Sequence, residues 1–477
     1  MKLATLALAA ALAAGSLFCV GASAQVAAKK YVVTELGSLD GSIGNTIALG
    51  INNAGQVVGY TRLGSSFSDP SRAFRTAPNQ AIKPTDHLGT LGGASSFAYA
   101  INSSGQVVGD ADRADGTRRA FRIDPGGAMV DLGTFAAEGT VLNNSSGARN
   151  INDAGVVVGF ARVPNNICVS VSRAFRTAPG AAINPSTDDL GTLVPPTVSC
   201  PSVRSSIAWG VNGAGSVVGN SATTLLTGTP NHAFLFSGSG PMTDLSALAL
   251  GPNSNAFAIN DRGEVVGDSQ FDGNPFSGFM RAILKSGSNP LLDLGDLGGG
   301  WASAAAINTP LSGGPSQVVG RSGTAAPAAH GFVWTGSYAV GGTMVDLNAL
   351  VAANSPWVIT FARAINGRGQ IVADATKDGV QFVYHAVRLD PSDVATDALL
   401  ASLSDASLAL TAGQVASLSD KLTNALASIQ AAQNKQAINQ LNAFISAVQT
   451  QWKNGKLSST TAAALTDAAN VIIATLS

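Results

Sequence analysis

The segment INNAGQVVG, residues 51–59, recurs along the chain, and this recurrence limits the possible folds more than any other feature. It returns as INSSGQVVG from Ile101, INDAGVVVG from Ile151, VNGAGSVVG from Val211, INDRGEVVG from Ile259 and INGRGQIVA from Ile365. An interrupted copy, sixth in chain order, runs from Ile307 to Gly320. The other copies keep Asn-x-x-Gly: Asn52 and Gly55, Asn102 and Gly105, Asn152 and Gly155, Asn212 and Gly215, Asn260 and Gly263, Asn366 and Gly369. An Asn side chain at the start of a turn accepts a nearby backbone N–H. A Gly three residues later suits the left-handed position of a short hairpin connection. Each copy therefore predicts a tight β-hairpin. The two adjacent Val residues that follow lack the alternation of a half-exposed strand, so the second strand is expected to be covered on both faces. The Gly after the pair marks a place where another backbone passes close by, and Ala373 stands there in the last copy.

Two further motifs follow each hairpin. One is Arg/His-Ala-Phe or a looser form, beginning at Arg72, Arg119, Arg173, His232, Arg281, His330 and His385. The other is an acid before Leu, often with Gly next: Asp131, Asp189, Asp244, Asp293 and Asp346. After the first hairpin, His87 occupies the acid's place. One unit thus holds four short strands, here called A (ending at the Asn), B (Val-Val), C (Arg/His-Ala-Phe) and D (acid-Leu-Gly). The period of about 50 residues is that of propeller blades. The seventh unit stops after its C strand, at Pro391. An orphan D-like strand, Tyr31 to Gly37 with Glu35 in the acid's place, precedes the first A strand. Every strand type is present in seven copies only if that N-terminal strand completes the last unit, which closes a ring and removes its exposed edge. The expected fold is mainly β: a seven-bladed β-propeller closed by its N-terminal strand, then a small α-helical bundle. An open solenoid would need polar caps at both ends.

Met1-Lys2, an apolar run from Leu3 to Val20 and Ala22-Ser23-Ala24 read as a secretory signal peptide, residues 1–24, cleaved after Ala24. A lipoprotein anchored at Cys19 is the rival; Phe18 is large for such a site. The expected division is then 25–390 for the propeller and 391–477 for the helical domain, in a secreted protein, extracellular or periplasmic, without a membrane span. Cys168 and Cys200 remain, one in the third B–C loop and one in the next D–A loop, which emerge on the same propeller face. An even pair in an oxidising compartment suggests a disulfide, worth roughly 3–4 kcal/mol for a loop of about 30 residues. After Pro391, Ala, Leu, Ser and Gln take over with helical spacing. Val415, Leu418, Leu422, Ala425 and Ile429 form one stripe; Ile438, Leu441, Ile445, Val448 and Trp452 another; Leu465, Ala468, Ile472 and Leu476 a third. With a helix near 393–403, four helices are expected.

At these motifs the chain resembles the HAF-repeat proteins of bacteria, over roughly residues 31–390, with His232-Ala233-Phe234 intact. The tail, AINQLNAFISAV at 437–448 and LSSTTAAALTDAANVIIATL after it, is similar to FIMAH-type helical modules. The resemblance implies an extracellular protein and lends no site residues.

The strand C cation and strand D acid recur together: Arg119 with Asp131, Arg173 with Asp189, His232 with Asp244, Arg281 with Asp293, His330 with Asp346, and His385 with Glu35 across the closure. A residue pair repeated in every blade is a scaffold pair rather than a catalytic one. Serine-hydrolase elbows and zinc-protease motifs are absent from the sequence. GTLGG at 89–93 and GDLGGG at 295–300 read as turns, not phosphate cradles. Asp110, Asp112 and Asp115, and Asp268 with Asp272, read as B–C loop carboxylates; calcium is conceivable there, but the spacing misses the EF-hand pattern. No cofactor is expected. Trp209, Trp301, Trp334 and Trp357 include candidates for a sugar-stacking platform, with Trp334 and Trp452 read as core. Charged residues are 12% and net charge is −1, which argues against nucleic acid. The leading expectation is a non-catalytic binding or surface-interaction scaffold for an unknown extracellular glycan or protein. The rivals are a glycan-active hydrolase or lyase, with acids clustered at the axis, and a self-assembling matrix component.

Overall fold

The computed structural model describes residues 29–42, 45–64, 66, 68–136, 144–163, 171–194, 205–223, 231–245, 251–271, 279–326, 328–380, 383–404 and 409–477. The leader and both Cys168 and Cys200 lie outside the described residues. The chain is a seven-bladed β-propeller followed by four helices. The A strands are Thr46–Ile51, Gly92–Ile101, Ser146–Ile151, Ser206–Val211, Ser254–Ile259, Gly298–Ile307 and Trp357–Ile365. Each A strand touches the A strands of both neighbouring blades, so these seven form the wall of the axial channel. B, C and, where present, D strands follow outward in antiparallel order. In the first and third blades the D position is reduced to a single bridge, Phe74 with His87 and Phe175 with Asp189.

The strand count closes the ring as predicted. Tyr31–Glu35 is the outermost strand of the last blade, in order D-C-B-A, with Tyr31 opposite Pro391 and Glu35 opposite Val387.

The Val-Val pair explains how blades stack. Val57 and Val58 are both fully buried but belong to different apolar clusters, one against the last blade and one against the second. The next residue must be small. A Cβ on Gly219 would lie 2.0 Å from the Ile207 carbonyl oxygen and 2.7 Å from Phe234 Cε1. Phe74, Phe121, Phe175, Phe234 and Phe332 of the C strands are fully buried against such points. In the last blade, where Ala373 replaces the Gly, the A strand carries a further register shift between Ile359 and Phe361.

A serine latch joins successive blades. Ser206 Oγ accepts the Ala174 N–H of the preceding C strand at 2.9 Å and donates to the Gly191 carbonyl at 2.6 Å. Ser96 and Ser146 do the same for Ala73 with Gly89 and for Ala120 with Gly133. Each buried hydroxyl thereby satisfies a donor and an acceptor that the twisted sheets leave unpaired.

The helices are α1 (Ser392–Ser402), α2 (Ala412–Gln430), α3 (Asn434–Lys453) and α4 (Ser459–Leu476). Thr411 and Ser458 cap α2 and α4. The buried face of α3 is Ala437, Leu441, Phe444 and Val448, rotated one position from the expected stripe. This rotation carries Trp452 off the packed face: it is 47% exposed, not core. α1 starts directly where the last C strand ends, and the Ser392 N–H bonds the Lys30 carbonyl at 3.0 Å. Val32 of the closing strand belongs to the apolar core of the helices, with Leu399, Leu465 and Ile472. The helical region therefore packs on the strand that closes the ring. A groove of about 850 Å³ runs between that strand, α1 and α4.

Candidate functional site: the axial channel

The channel has two chemically different ends. At the hairpin end sit the seven repeat Asn residues: Asn52, Asn102, Asn152, Asn212, Asn260, Asn366 and, in the interrupted copy, Asn308. Each Oδ1 closes its own turn by accepting a backbone N–H, from Gln56, Gln106, Val156, Ser216, Glu264, Gln370 and Gln317 respectively, at 2.9–3.0 Å. Each Nδ2 also donates to the backbone carbonyl of the next blade's Asn. The links Asn52 to Asn102, Asn102 to Asn152, Asn152 to Asn212 and Asn212 to Asn260 measure 3.0, 3.1, 2.9 and 3.2 Å. Those from Asn260 to Asn308, Asn308 to Asn366 and Asn366 back to Asn52 measure 3.1, 3.0 and 2.8 Å. The ring is closed and continuous. Sequence reasoning gave Asn only its turn role. The missed signal is that Asp, which caps turns as well but cannot donate, occurs at none of the seven positions. The Gly residues of these turns, Gly55, Gly105, Gly155, Gly215, Gly263 and Gly369, have φ between +74° and +82°. Next to the ring is a pocket of about 230 Å³ lined by Asn53, Asp153, Asp261 and Thr309 among others. Asp153 and Asp261 accept the N–H groups of Ser103 and Gly213 across the blade seams, at 2.8 and 2.7 Å.

The other end faces the B–C and D–A connections and follows no repeat. Two before the last Ile or Val of each A strand stand Leu49, Tyr99, Arg149, Trp209, Phe257, Ala305 and Arg363. Just after the Gly or Ala of each B strand stand Tyr60, Asp110, Phe160, Asn220, Asp268, Arg321 and Asp374. Asp110, Asp112 and Asp268 are thus strand residues, not loop carboxylates as expected, because the B strand continues past its Gly.

These side chains form a collar. Tyr60 meets Phe97 edge-on at 4.8 Å. Arg118 lies over Phe97 at 4.8 Å and pairs with Asp112 at 2.8 Å. Arg149 pairs with Asp110 at 3.0 Å and lies over Tyr99, Phe160 and Trp209 at 4.1, 5.0 and 5.7 Å. Trp209 donates to Asn220 Oδ1 at 2.8 Å and meets Phe257 edge-on at 6.1 Å. Asp268 accepts from Asn255 and Ser303 at 2.8 and 2.7 Å. Arg321 lies between Trp301 and Phe361, 5.7 and 5.0 Å from their centres. Arg363 lies over Phe361 at 3.9 Å and pairs with Asp374 at 2.6 Å. Trp209, Trp301 and Trp357 are half-buried, whereas Trp334 is 2% exposed and packs in the core.

Burial pushes the carboxyls of Asp110, Asp268 and Asp374 above the ordinary range. Arg149 and Arg118 oppose this at Asp110, Asn255 and Ser303 at Asp268, and Arg363 with Arg321 at Asp374. Burial, helped by the Asp110 charge, pushes the Tyr99 hydroxyl up to about 12. One oxygen each of Asp110 and Asp374 is buried without a hydrogen-bond partner. Among the described residues there is no group of three or more His, Cys, Asp or Glu arranged to hold a metal ion. Asp115 instead accepts the Thr117 N–H within its own turn at 2.9 Å.

The strand C and D residues lie away from this channel, toward the rim. His232 Nδ1 is 2.8 Å from Asp244, His330 Nδ1 2.7 Å from Asp346, and His385 Nδ1 2.8 Å from Glu35 on the closing strand. Arg281 is 3.1 Å from Asp293 and Arg173 3.8 Å from Asp189. Asp131 has Arg113 at 3.7 Å, while Arg119 is 3% exposed. The acid also fastens its own turn: Asp131, Asp189 and Asp293 accept the N–H of Gly133, Gly191 and Gly295, each at 2.8 Å.

Residues 397–474 match the FIMAH domain. Residues 10–122 match a family described as a protein of unknown function (DUF3466). No curated protein matches the chain. Among solved structures it is similar to the β-propeller domain of the Trilobed protease from Pyrococcus furiosus, described as having an open velcro topology. That match has 9% identity and a TM-score of 0.43, over 72% of this chain and 96% of that one. A puromycin hydrolase matches at 15% identity and a TM-score of 0.43, over 75% of this chain and 54% of that one. A GH62 hydrolase in complex with xylotriose matches at 9% identity and a TM-score of 0.25, over 76% and 96%. No helix among the described residues is long and apolar enough to cross a membrane.

Proposed function

We propose that this chain is a secreted, non-catalytic binding scaffold whose ligand meets the collar end of the axial channel. One observation carries the reading. Positions that hold the ring together repeat blade after blade, whereas no two blades present the same pair of side chains at the collar. Repetition serves the frame, and a binding site needs a unique constellation. Cleavage after Ala24, a Cys168–Cys200 disulfide on the same face, kinship with the HAF-repeat proteins and a division at residue 391 between ring and helical domain belong to this reading. The helical region, packed on the closing strand, would serve attachment. The test is to screen the full mature chain against glycans, cell-envelope fractions and extracellular proteins. Any ligand found should be lost on substituting Trp209 or Arg321. A ligand that is indifferent to both, or none at all, defeats the reading.

A second reading, a glycan-active hydrolase or lyase, is favoured by the raised carboxyls of Asp110, Asp268 and Asp374, since a protonated acid is what such chemistry uses. It requires release of reducing ends or unsaturated products from a polysaccharide, abolished by Asp374→Asn or Asp110→Asn. Binding without turnover rejects it.

A further inference from the structure

In the arc of the collar from the fifth to the seventh blade, one cation stands without an ion-pair partner among the described residues. Three collar arginines each have a carboxylate: Arg118 has Asp112, Arg149 has Asp110 and Arg363 has Asp374. Arg321 is exposed and has no hydrogen-bond or ion-pair partner among the described residues. It is nevertheless held, with its guanidinium between the rings of Trp301 and Phe361. Such a cation is oriented before anything binds, and its planar fork matches a carboxylate through two parallel N–H bonds. Beside it, Asp374 is 6% exposed and held by Arg363, with one oxygen buried without a hydrogen-bond partner. The half-buried faces of Trp301 and Phe361 supply apolar area next to these polar groups.

Aromatic faces beside one exposed guanidinium without a carboxylate partner fit a ligand with an apolar ring face and a single negative charge per ring. We propose that this arc binds a carbohydrate chain whose rings carry carboxylates, of the uronic-acid class. A phosphate or sulfate ester fits less well, because Asp268 and Asp374 flank Arg321 and would repel a denser charge. The inference rests on the scaffold reading above and narrows its ligand.

The experiment is calorimetric titration of the full chain, and of its Arg321→Gln and Arg321→Lys variants, with polygalacturonate and alginate oligomers. Neutral xylan- and cellulose-derived oligomers of matched length and dextran sulfate are the comparisons. Arg321 is exposed, so both variants should keep the parent melting temperature. Expected are uronate binding at least about tenfold tighter than neutral binding, a loss of about tenfold or more in R321Q for uronates alone, and partial rescue by R321K. Equal affinity for neutral oligomers, an unchanged R321Q, or tighter capture of dextran sulfate would overturn the proposal. So would absence of uronate binding. If another ligand then proves sensitive to Trp209→Ala, the scaffold reading stands without this one; if nothing binds, both fall.

Discussion

The two ends of one channel were built by opposite rules. At the hairpin end, seven Asn residues repeat the same two bonds, and the seam between the last and first blades is indistinguishable from the rest. At the collar, no two blades present the same pair of side chains, and the contacts are stacked rings, ion pairs and single hydrogen bonds in no fixed order. One end trades variety for strength, since each link satisfies a buried donor and a buried acceptor together. The other is carried by strands whose hydrogen bonds are already complete, so its side chains are free to differ. The comparison teaches that function in a repeat fold is sought where the repeat fails.

The contrast breaks most severely if a hub residue proves dispensable. Asn212→Asp keeps the acceptor toward Ser216 but removes the donor to Asn260 and sets a charge against its carbonyl. A loss of about 3 kcal/mol in chemical unfolding is expected. Ser206→Ala removes one latch, leaving the Ala174 N–H and the Gly191 carbonyl without partners, and should cost about 2 kcal/mol by the same measurement.

Asp268 sharpens the comparison from the collar side. Burial raises its folded-state pKa above the unfolded value, so the folded protein holds that proton more tightly. This contribution to stability is fully present below the ordinary Asp value and is lost as pH rises through the raised one. Asp268→Asn has no such loss and can still bond Asn255 and Ser303. Relative to the parent, it should gain stability as pH rises from the ordinary Asp range to neutrality, read from melting curves across pH. A constant difference would mean that Asp268 does not titrate in that window. The smallest effect is expected at Arg321→Gln, within about 0.5 kcal/mol of the parent, because the side chain is exposed and unpaired. A large destabilisation there would move Arg321 from site to frame.

Much of the frame was legible because its rules are local or countable. Asn-x-x-Gly needs only turn geometry, the adjacent Val residues need only two covered faces, and an orphan strand at one end matched a missing one at the other. Individual side chains on the helices were less legible. The stripe on α3 missed by one position because spacing alone does not set how a helix is rotated against its partners. Phe444 won the core and Trp452 lost it. The collar was hardly legible at all. Tyr60, Arg149, Arg321 and Phe361 lie far apart in the chain, and what joins them is the curvature of the ring. Setting the copies side by side would have exposed them as the places where a regular repeat becomes irregular.

The sequence by itself determined the number of blades, the residues that close each turn and the strand that completes the last sheet. These follow from short-range backbone geometry and from counting. Only the tertiary structure decided that the seven Asn amides link head to tail, that the helices lean on the closing strand, and that Arg321 stands clamped yet unpaired. Those contacts exist only once chain segments hundreds of residues apart in some cases, such as Asn366 and Asn52, are brought within hydrogen-bond reach.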